Sequence, residues 1–167
     1  MVVSSLKLRQ MNEADRDAVG FVGFAAWRAG EAFDAAYLDS HVIERVRGEF
    51  ESFAKSPTGD VVVAEIDGVV VGWGACDAKP HHISDLWVDP TWQGKGIGKA
   101  LILHFLDRMR AAGLPLATID THARNRAAIG LYQRCGFQIV WRGMEWSDIM
   151  KVELEKVKLE QMLSYNL

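Results

Sequence analysis

Hydrophobic side chains recur along this chain at two different spacings, and the order of the spacings predicts the secondary structure. Helical spacing predicts helices at about 12–27, 41–55, 96–112 and 126–134. Alternation and short β-branched runs predict strands at about 6–9, 61–66, 69–75, 81–88, 116–121, 137–141 and within 146–154. The charged tail from Glu155 is compatible with a strand or a helix, and 28–40 shows no clear pattern. This order of elements predicts an α/β domain with a mixed sheet.

Composition predicts a globular protein and limits the kinds of partner that it would bind. With 167 residues, 49% hydrophobic and 25% charged, we expect a single domain over 1–167, with about 155–167 as a C-terminal tail. The net charge of −3 argues against nucleic acid as the main partner. No apolar run is long enough for a membrane span, and the N-terminus becomes charged too early for a secretory signal. Cys76 and Cys135 fit no metal or disulfide spacing, which favours a cytoplasmic protein without a metal. The sequence is also compatible with a homodimer.

A glycine-rich turn between a predicted strand and a predicted helix is the strongest sign of a ligand. Gly94, Gly96 and Gly98 allow the backbone to approach an anion closely, and the first helical N–H groups point at it. The turn is not a P-loop, because Ala100 follows Lys99 where a Ser or Thr is required. No frame fits the dinucleotide pattern G-x-G-x-x-G either. The turn therefore predicts another kind of phosphate-bearing ligand.

The turn and the segment after it resemble the GCN5-related N-acetyltransferase (GNAT) family. The run Gln93-Gly94-Lys95-Gly96-Ile97-Gly98 is similar to the family hallmark of Gln or Arg, two residues, Gly, one residue, then Gly or Ala. Further matches are Asn125, Ala128, Leu131, Tyr132, Gly136 and Phe137. The resemblance implies a GNAT-like mixed, mostly antiparallel central sheet flanked by helices on both faces. It also implies acetyl-CoA as the cosubstrate and no metal.

The resemblance further implies which residues hold the acetyl-CoA. Its pyrophosphate would lie on the turn 93–99, with Lys95 and Lys99 adding positive charge. Its pantetheine arm carries amides, so it can pair with the backbone of the preceding strand as an added strand. The full expected set is Leu86, Trp87, Val88, Gln93, Gly94, Lys95, Gly96, Ile97, Gly98, Lys99, Asn125, Ala128 and Tyr132. Asn125 also fits a plain role as the helix cap before Arg126.

The candidate catalytic residues are Tyr132, Asp120 and Asp85. The resemblance implies that Tyr132 donates a proton to the CoA sulfur. Asp120 is the candidate base, at a place where some relatives similar to ribosomal-protein alanine acetyltransferases carry a glutamate. Aspartate is one methylene shorter, so Asp85, His82, His122 and a water relay remain alternatives.

An acceptor pocket is expected from the segment after the first helix. Aromatic and acidic side chains occur there, at Phe24, Trp27, Glu31, Phe33 and Tyr37. Trp27, Glu31 and His122 are the candidate substrate contacts, although the first two also fit ordinary core and surface roles. The function implied is transfer of acetyl from acetyl-CoA to a small primary amine, by direct attack in a ternary complex. The alternatives are a peptide N-terminal or lysine acetyltransferase, and a non-catalytic acyl-CoA-binding regulator.

Overall fold

The computed structural model describes residues 5–30, 35–77 and 79–163, and within these ranges the chain forms eight strands and four α-helices. The strands are β1 (Leu6–Gln10), β2 (Asp60–Ile66), β3 (Val69–Cys76), β4 (His82–Ile83), β5 (Asp85–Val88), β6 (Leu116–His122), β7 (Gln138–Ser147) and β8 (Val152–Met162). The helices are α1 (Arg16–Ala29), α2 (Ser40–Lys55), α3 (Ile97–Ala111) and α4 (Arg126–Arg134). Short 3-10 turns occupy Glu13–Asp15, Ala35–Tyr37 and Pro90–Trp92.

The strands form two four-stranded sheets, in the orders β1-β2-β3-β5 and β4-β6-β8-β7. All pairs are antiparallel except β4 with β6, which are parallel. The expected mixed, mostly antiparallel arrangement with flanking helices is therefore confirmed. It is divided into two sheets because the chain changes partner between two consecutive strands.

Alternating valines place helices on opposite faces of the first sheet. Val61 and Val63 of β2 belong to a buried cluster with α1 and α2. Val62 of the same strand belongs to a second cluster, which α3 and Tyr132 of α4 share with buried residues of both sheets. Because this second cluster contains residues of α3 and of both sheets, it joins the two sheets in one core.

The partner change occurs at Ser84, within the segment predicted as one strand at 81–88. Ile83 pairs with Ile119 of β6, whereas Asp85 pairs with Ala75 of β3. The backbone N–H of Ser84 and its side-chain hydroxyl both donate to the carbonyl oxygen of Ala75, at 2.8 and 3.1 Å. These bonds hold the chain where it leaves one sheet for the other. A pattern of apolar and polar residues does not encode such a change.

The C-terminal part of the chain differs from the sequence expectation. Residues 155–162, expected in a tail of undecided structure, lie within β8, and β7 continues past 141 to Ser147. On β8 the buried Val157 and Leu159 alternate with Lys156 and Lys158, as in any strand with one covered face. Most β7 side chains are exposed, which removes the alternation that would have extended this strand prediction.

Candidate functional site

An open gap separates β5 from β6 where the two sheets part. β4 pairs with β6 only through His82 and Ile83, and the chain then joins the other sheet as its edge strand β5. Within the described residues, no strand pairs with β5 on the side away from β3. The edge formed by Leu86, Trp87 and Val88 can therefore accept an extended ligand that carries amides. The side chains of Leu86 and Val88 pack on the α3 core while their backbone remains at this edge.

The N-terminus of α3 lies at the end of the glycine turn that follows β5. Gly94 and Gly96 have φ values of 76° and 85°, a left-handed conformation that favours glycine. Gly96 is the N-cap and supplies no side-chain cap, and the N–H of Ala100 is the first to bond back to it. The N–H groups of 97–99 thus precede the helical ladder and are oriented to bind an anion.

The other members of the turn have distinct structural roles. Ile97 is buried in the core, so only its backbone is available to a ligand. A Cβ added to Gly98 would lie 3.2 Å from Cδ2 of Leu131, so the absence of a side chain allows α3 and α4 to approach. Lys95 and Lys99 are exposed, and the side-chain amide of Gln93 donates to the Val88 carbonyl at 3.2 Å.

Asn125 caps the short helix that carries the tyrosine. Its side-chain oxygen accepts from the N–H of Ala128 at 3.2 Å, and its side-chain nitrogen donates to Oγ1 of Thr121 at 3.3 Å. The capping role expected from the sequence is therefore observed, and it ties α4 to β6. Contact of Asn125 or Ala128 with a cofactor stays a prediction.

Tyr132 is the buried side chain of α4 and packs edge-on against Phe137, with ring centroids 6.4 Å apart. Burial raises the pKa of Tyr132, and the nearby Asp120 carboxylate raises it further. Both effects keep the phenol protonated at neutral pH. A neutral phenol is a hydrogen-bond and proton donor.

Three candidate titratable groups are close to one another where β4, β5 and β6 diverge. His82 Nδ1 is 2.7 Å from Oγ1 of Thr118, and His82 Nε2 is 4.0 Å from Oδ2 of Asp120. Burial lowers the pKa of His82, although the charge of Asp120 opposes this. Burial raises the pKa of Asp85, which accepts a hydrogen bond from Nε1 of Trp87 at 3.1 Å. The structure therefore places His82 beside Asp120, and the charge of His82 also acts on Asp85 and opposes the rise of its pKa.

Two lysines and a glutamate lie beside these groups and were not predicted as site residues. Across β6 and β8, Asp120 is opposite Lys158 and His122 is opposite Lys156. Glu145 of β7 forms ion pairs with both lysines. Burial, followed by the charge of Lys156, lowers the pKa of His122 to about 4, so this ring is neutral at physiological pH. The alternation of Lys156 and Lys158 with Val157 and Leu159 is the available signal, but in a charged tail it does not by itself distinguish a strand from a helix.

The candidate acceptor residues before α2 meet the sheet at a hydrophobic cluster. Phe24 and Trp27 stack with ring centroids 6.1 Å apart. They pack with Val42 of α2 and with Leu154, which is two residues before Lys156 on β8. This cluster covers β8 at Leu154, which is four residues from Lys158, the residue opposite Asp120. Contact of Trp27 with a substrate stays a prediction. Glu31 and Phe33 lie outside the described residues.

Comparison with known proteins assigns the chain to a family. Residues 24–137 match the family model described as Acetyltransferase (GNAT) family, which is more than half of the chain. The chain belongs to the GNAT acetyltransferase family.

Curated relatives differ in the acceptors that their names state. An uncharacterized N-acetyltransferase of Methanocaldococcus jannaschii is 27% identical over 82% of this chain and 62% of its own length. An L-amino acid N-acyltransferase of Escherichia coli is 28% identical over 57% of this chain and 63% of its own length. A ribosomal protein bS18 alanine N-acetyltransferase of the same organism is 40% identical over 30% of this chain and 34% of its own length. The chain therefore matches less than two thirds of each.

Solved structures share the fold at low identity. A GCN5-related N-acetyltransferase from Rhodopseudomonas palustris superposes with a TM-score of 0.78 and 22% identity, covering 98% of this chain and 99% of the other. A putative acetyltransferase from Salmonella typhimurium, solved with its cofactor acetyl-CoA, has a TM-score of 0.69 and 21% identity over 98% and 97%. Within the described residues no helix has the length and apolar character to cross a membrane, and no cluster of three potential metal ligands occurs.

Proposed function

We propose that this protein is an N-acetyltransferase that moves acetyl from acetyl-CoA to a small primary amine by direct attack in a ternary complex. The observation that carries the proposal is the unpaired edge of β5 facing β6, which is followed by an uncapped helix N-terminus and accompanied by the neighbouring pair of Tyr132 and Asp120. Membership of the GNAT family supports it.

Acetyl-CoA fits this gap by its chemistry. The pantetheine amides pair with the free edge of β5, as a strand added to the sheet. The pyrophosphate then lies at the N–H groups of 97–99, close to the charges of Lys95 and Lys99. This orientation directs the thioester towards the divergence of β5 and β6, where the candidate catalytic groups are.

The reaction needs two proton movements. The amine nitrogen attacks the thioester carbonyl carbon, so a C–N bond forms and the C–S bond breaks. Asp120 takes the proton that the amine loses, directly or through water, and Tyr132 gives a proton to the leaving sulfur. The buried, protonated state of Tyr132 supports its role as the acid.

A small acceptor is favoured over a folded protein by the aromatic side chains that pack on the same sheet as Asp120. Phe24 and Trp27 pack with Leu154 of β8, on the face that carries Lys156, and such side chains suit a compact amphipathic amine. The net charge of −3 offers no general attraction to acidic macromolecules. The relatives include one named for amino acids and one named for a ribosomal protein, so a protein N-terminus is the alternative that the experiment must separate.

The test is acetyl-CoA turnover with a panel of amines, amino acids, polyamines, aminoglycosides and peptides with free N-termini. Release of the CoA thiol and the mass of the acetylated product are measured together. We expect efficient acetylation of at least one small amine. Turnover of peptides alone would contradict the small acceptor, and acetyl-CoA binding without turnover of any acceptor would contradict the enzymatic role.

A further inference from the structure

Two lysines of β8, Lys156 and Lys158, share the carboxylate of Glu145 beside the candidate site. Lys158 Nζ is 3.2 Å from Oε2 of Glu145, whereas Lys156 Nζ is 3.8 Å from Oε1. Lys158 is also placed over the Trp141 ring, 4.9 Å from its centroid. Lys158 is therefore held by two partners, and the contact of Lys156 with Glu145 is longer than a hydrogen bond.

Lys156 retains hydrogen-bonding capacity towards a ligand. An ammonium has three donors, and Glu145 is the one ion-pair partner of Lys156 among the described residues. The Lys156 side chain is 28% exposed, so it is neither enclosed in the core nor fully in solvent. It is directly opposite His122, at the end of β6 that carries the candidate base.

The position of Lys156 relative to Asp120 matches a ligand with two opposite charges. Since Asp120 is opposite Lys158, it is the diagonal neighbour of Lys156 across the strand pair, with a backbone separation of about 7–8 Å. The side chains of this diagonal pair lie on the same face of the sheet. The charge of Lys156 also lowers the pKa of both His82 and His122, which places the ammonium near both rings.

We propose that Lys156 binds a carboxylate of the acceptor, so that the acceptors are small amino acids whose carboxylate is one or two carbons from the amine. This inference rests on the proposed function and makes Asp120 the partner of the amine. A diamine fits less well, because its second ammonium would meet Lys156. Binding to Lys156 also keeps the substrate carboxylate at a distance from Asp120, whose negative charge would repel it.

The test compares matched acceptors that differ only in the carboxylate. L-Phenylalanine with L-phenylalaninamide, and glycine with glycinamide, are acetylated by the wild type and by Lys156→Gln. The amine of the amide is less basic and more of it is deprotonated, so reactivity alone favours the amide. We expect the wild type to prefer the acids, and Lys156→Gln to lower the acid-to-amide ratio of kcat/KM by about tenfold or more.

Two further variants show whether the effect is specific. Lys158→Gln removes a charge from the same strand and the same face, and should leave the acid-to-amide ratio within about twofold of wild type. Lys156→Arg keeps the charge and should retain most of the preference, which also covers the case in which Lys156→Gln does not fold. The KM for acetyl-CoA serves as the check on the cofactor site.

The outcomes distinguish this inference from the proposed function. Equal use of acids and amides by the wild type, or an unchanged ratio in Lys156→Gln, would overturn the role of Lys156 and leave the acetyltransferase in place. Turnover of polyamines without any amino acid would do the same. Turnover of peptides alone would overturn both the role of Lys156 and the small acceptor, and would leave only the acetyltransferase activity. No turnover of any acceptor would overturn both.

Discussion

At Tyr132, two features of the environment act in the same direction. The side chain is buried and lies near a carboxylate, and each raises the pKa of the phenol. A phenolate is thereby disfavoured, so the residue is suited to donate a proton rather than to accept one. At His122 burial has the opposite effect and keeps the imidazole neutral, with a pKa of about 4.

We expect Tyr132→Phe to lower kcat by about 10²- to 10⁴-fold while leaving acetyl-CoA affinity nearly unchanged, because the ring still packs and only the donor is lost. Single-turnover rates and calorimetric acetyl-CoA binding measure the two effects. Wild-type single-turnover rates in Tyr132→Phe would remove this residue from the mechanism.

Asp120→Asn should also reduce kcat, by about 10²-fold or more, since the amide preserves the shape but does not accept a proton. The variant should lose the part of the pH profile in which kcat/KM rises with ionisation of the base. His82→Gln is the informative comparison, because His82 is 4.0 Å from Asp120 and is itself an alternative base. If Asp120→Asn keeps the full profile and His82→Gln or Asp85→Asn loses it, the proton acceptor has been misassigned.

The motif spacing predicts some residues of the candidate site and not others. The motif spacing led to Tyr132 and Asn125 because these residues follow one another on a short helix. The spacing did not predict Lys156 and Glu145. These residues lie on β8 and β7 and come near Asp120 and His122 through cross-strand pairing. Long-range pairing of this kind depends on register. The sequence pattern predicts neither the extension of β7 to Glu145 nor the strand that contains Lys156.

At the scale of elements, the glycine turn and the strand edge beside it determine where a cofactor can bind. The turn was predictable, since three glycines at alternate positions indicate a backbone that turns tightly and can approach a ligand closely. The free edge of β5 was implied only by the family resemblance, because it results from the partner change at Ser84 and not from a local pattern. The same change divides the expected central sheet into two, although the order of helices and strands was close to the prediction.

Gly96→Ala and Gly113→Ala form a matched pair that tests the turn. Both glycines have positive φ, 85° and 74°, and a Cβ at either place would meet nothing within 4 Å. Each substitution should therefore destabilise the fold to a similar extent, by about 1–2 kcal/mol in urea unfolding. Only Gly96→Ala should weaken acetyl-CoA binding, measured by calorimetry, because only that Cβ enters the proposed pyrophosphate site. Equal acetyl-CoA affinity in the two folded variants would place the pyrophosphate elsewhere.

For the whole molecule, buried titratable groups couple stability to pH in separate ranges. Hydrogen bonds from Arg9 lower the pKa of Asp15 below 3.8 despite its burial. The unfolded state then binds a proton first, so the stability that Asp15 contributes is lost as the pH falls below that value. His82 and His122 have lowered pKa values, and their effect begins nearer neutrality. Asp85 acts in the opposite sense, because burial raises its pKa and protonation favours its folded state.

His122 allows one of these contributions to be isolated. Its pKa is lowered from 6.5 to about 4, so between these values the unfolded chain binds a proton that the folded chain does not. The free energy of unfolding should therefore decrease as the pH falls from about 6.5 to 4, and this part of the decrease should be absent in His122→Gln. Urea unfolding at intervals across that range measures the slope, with His41→Gln, at an exposed residue of α2, as the control. If the slope in His122→Gln equals that of the wild type, the ring is protonated in the folded protein over this range. The inference that the imidazole beside Lys156 is neutral would then be wrong.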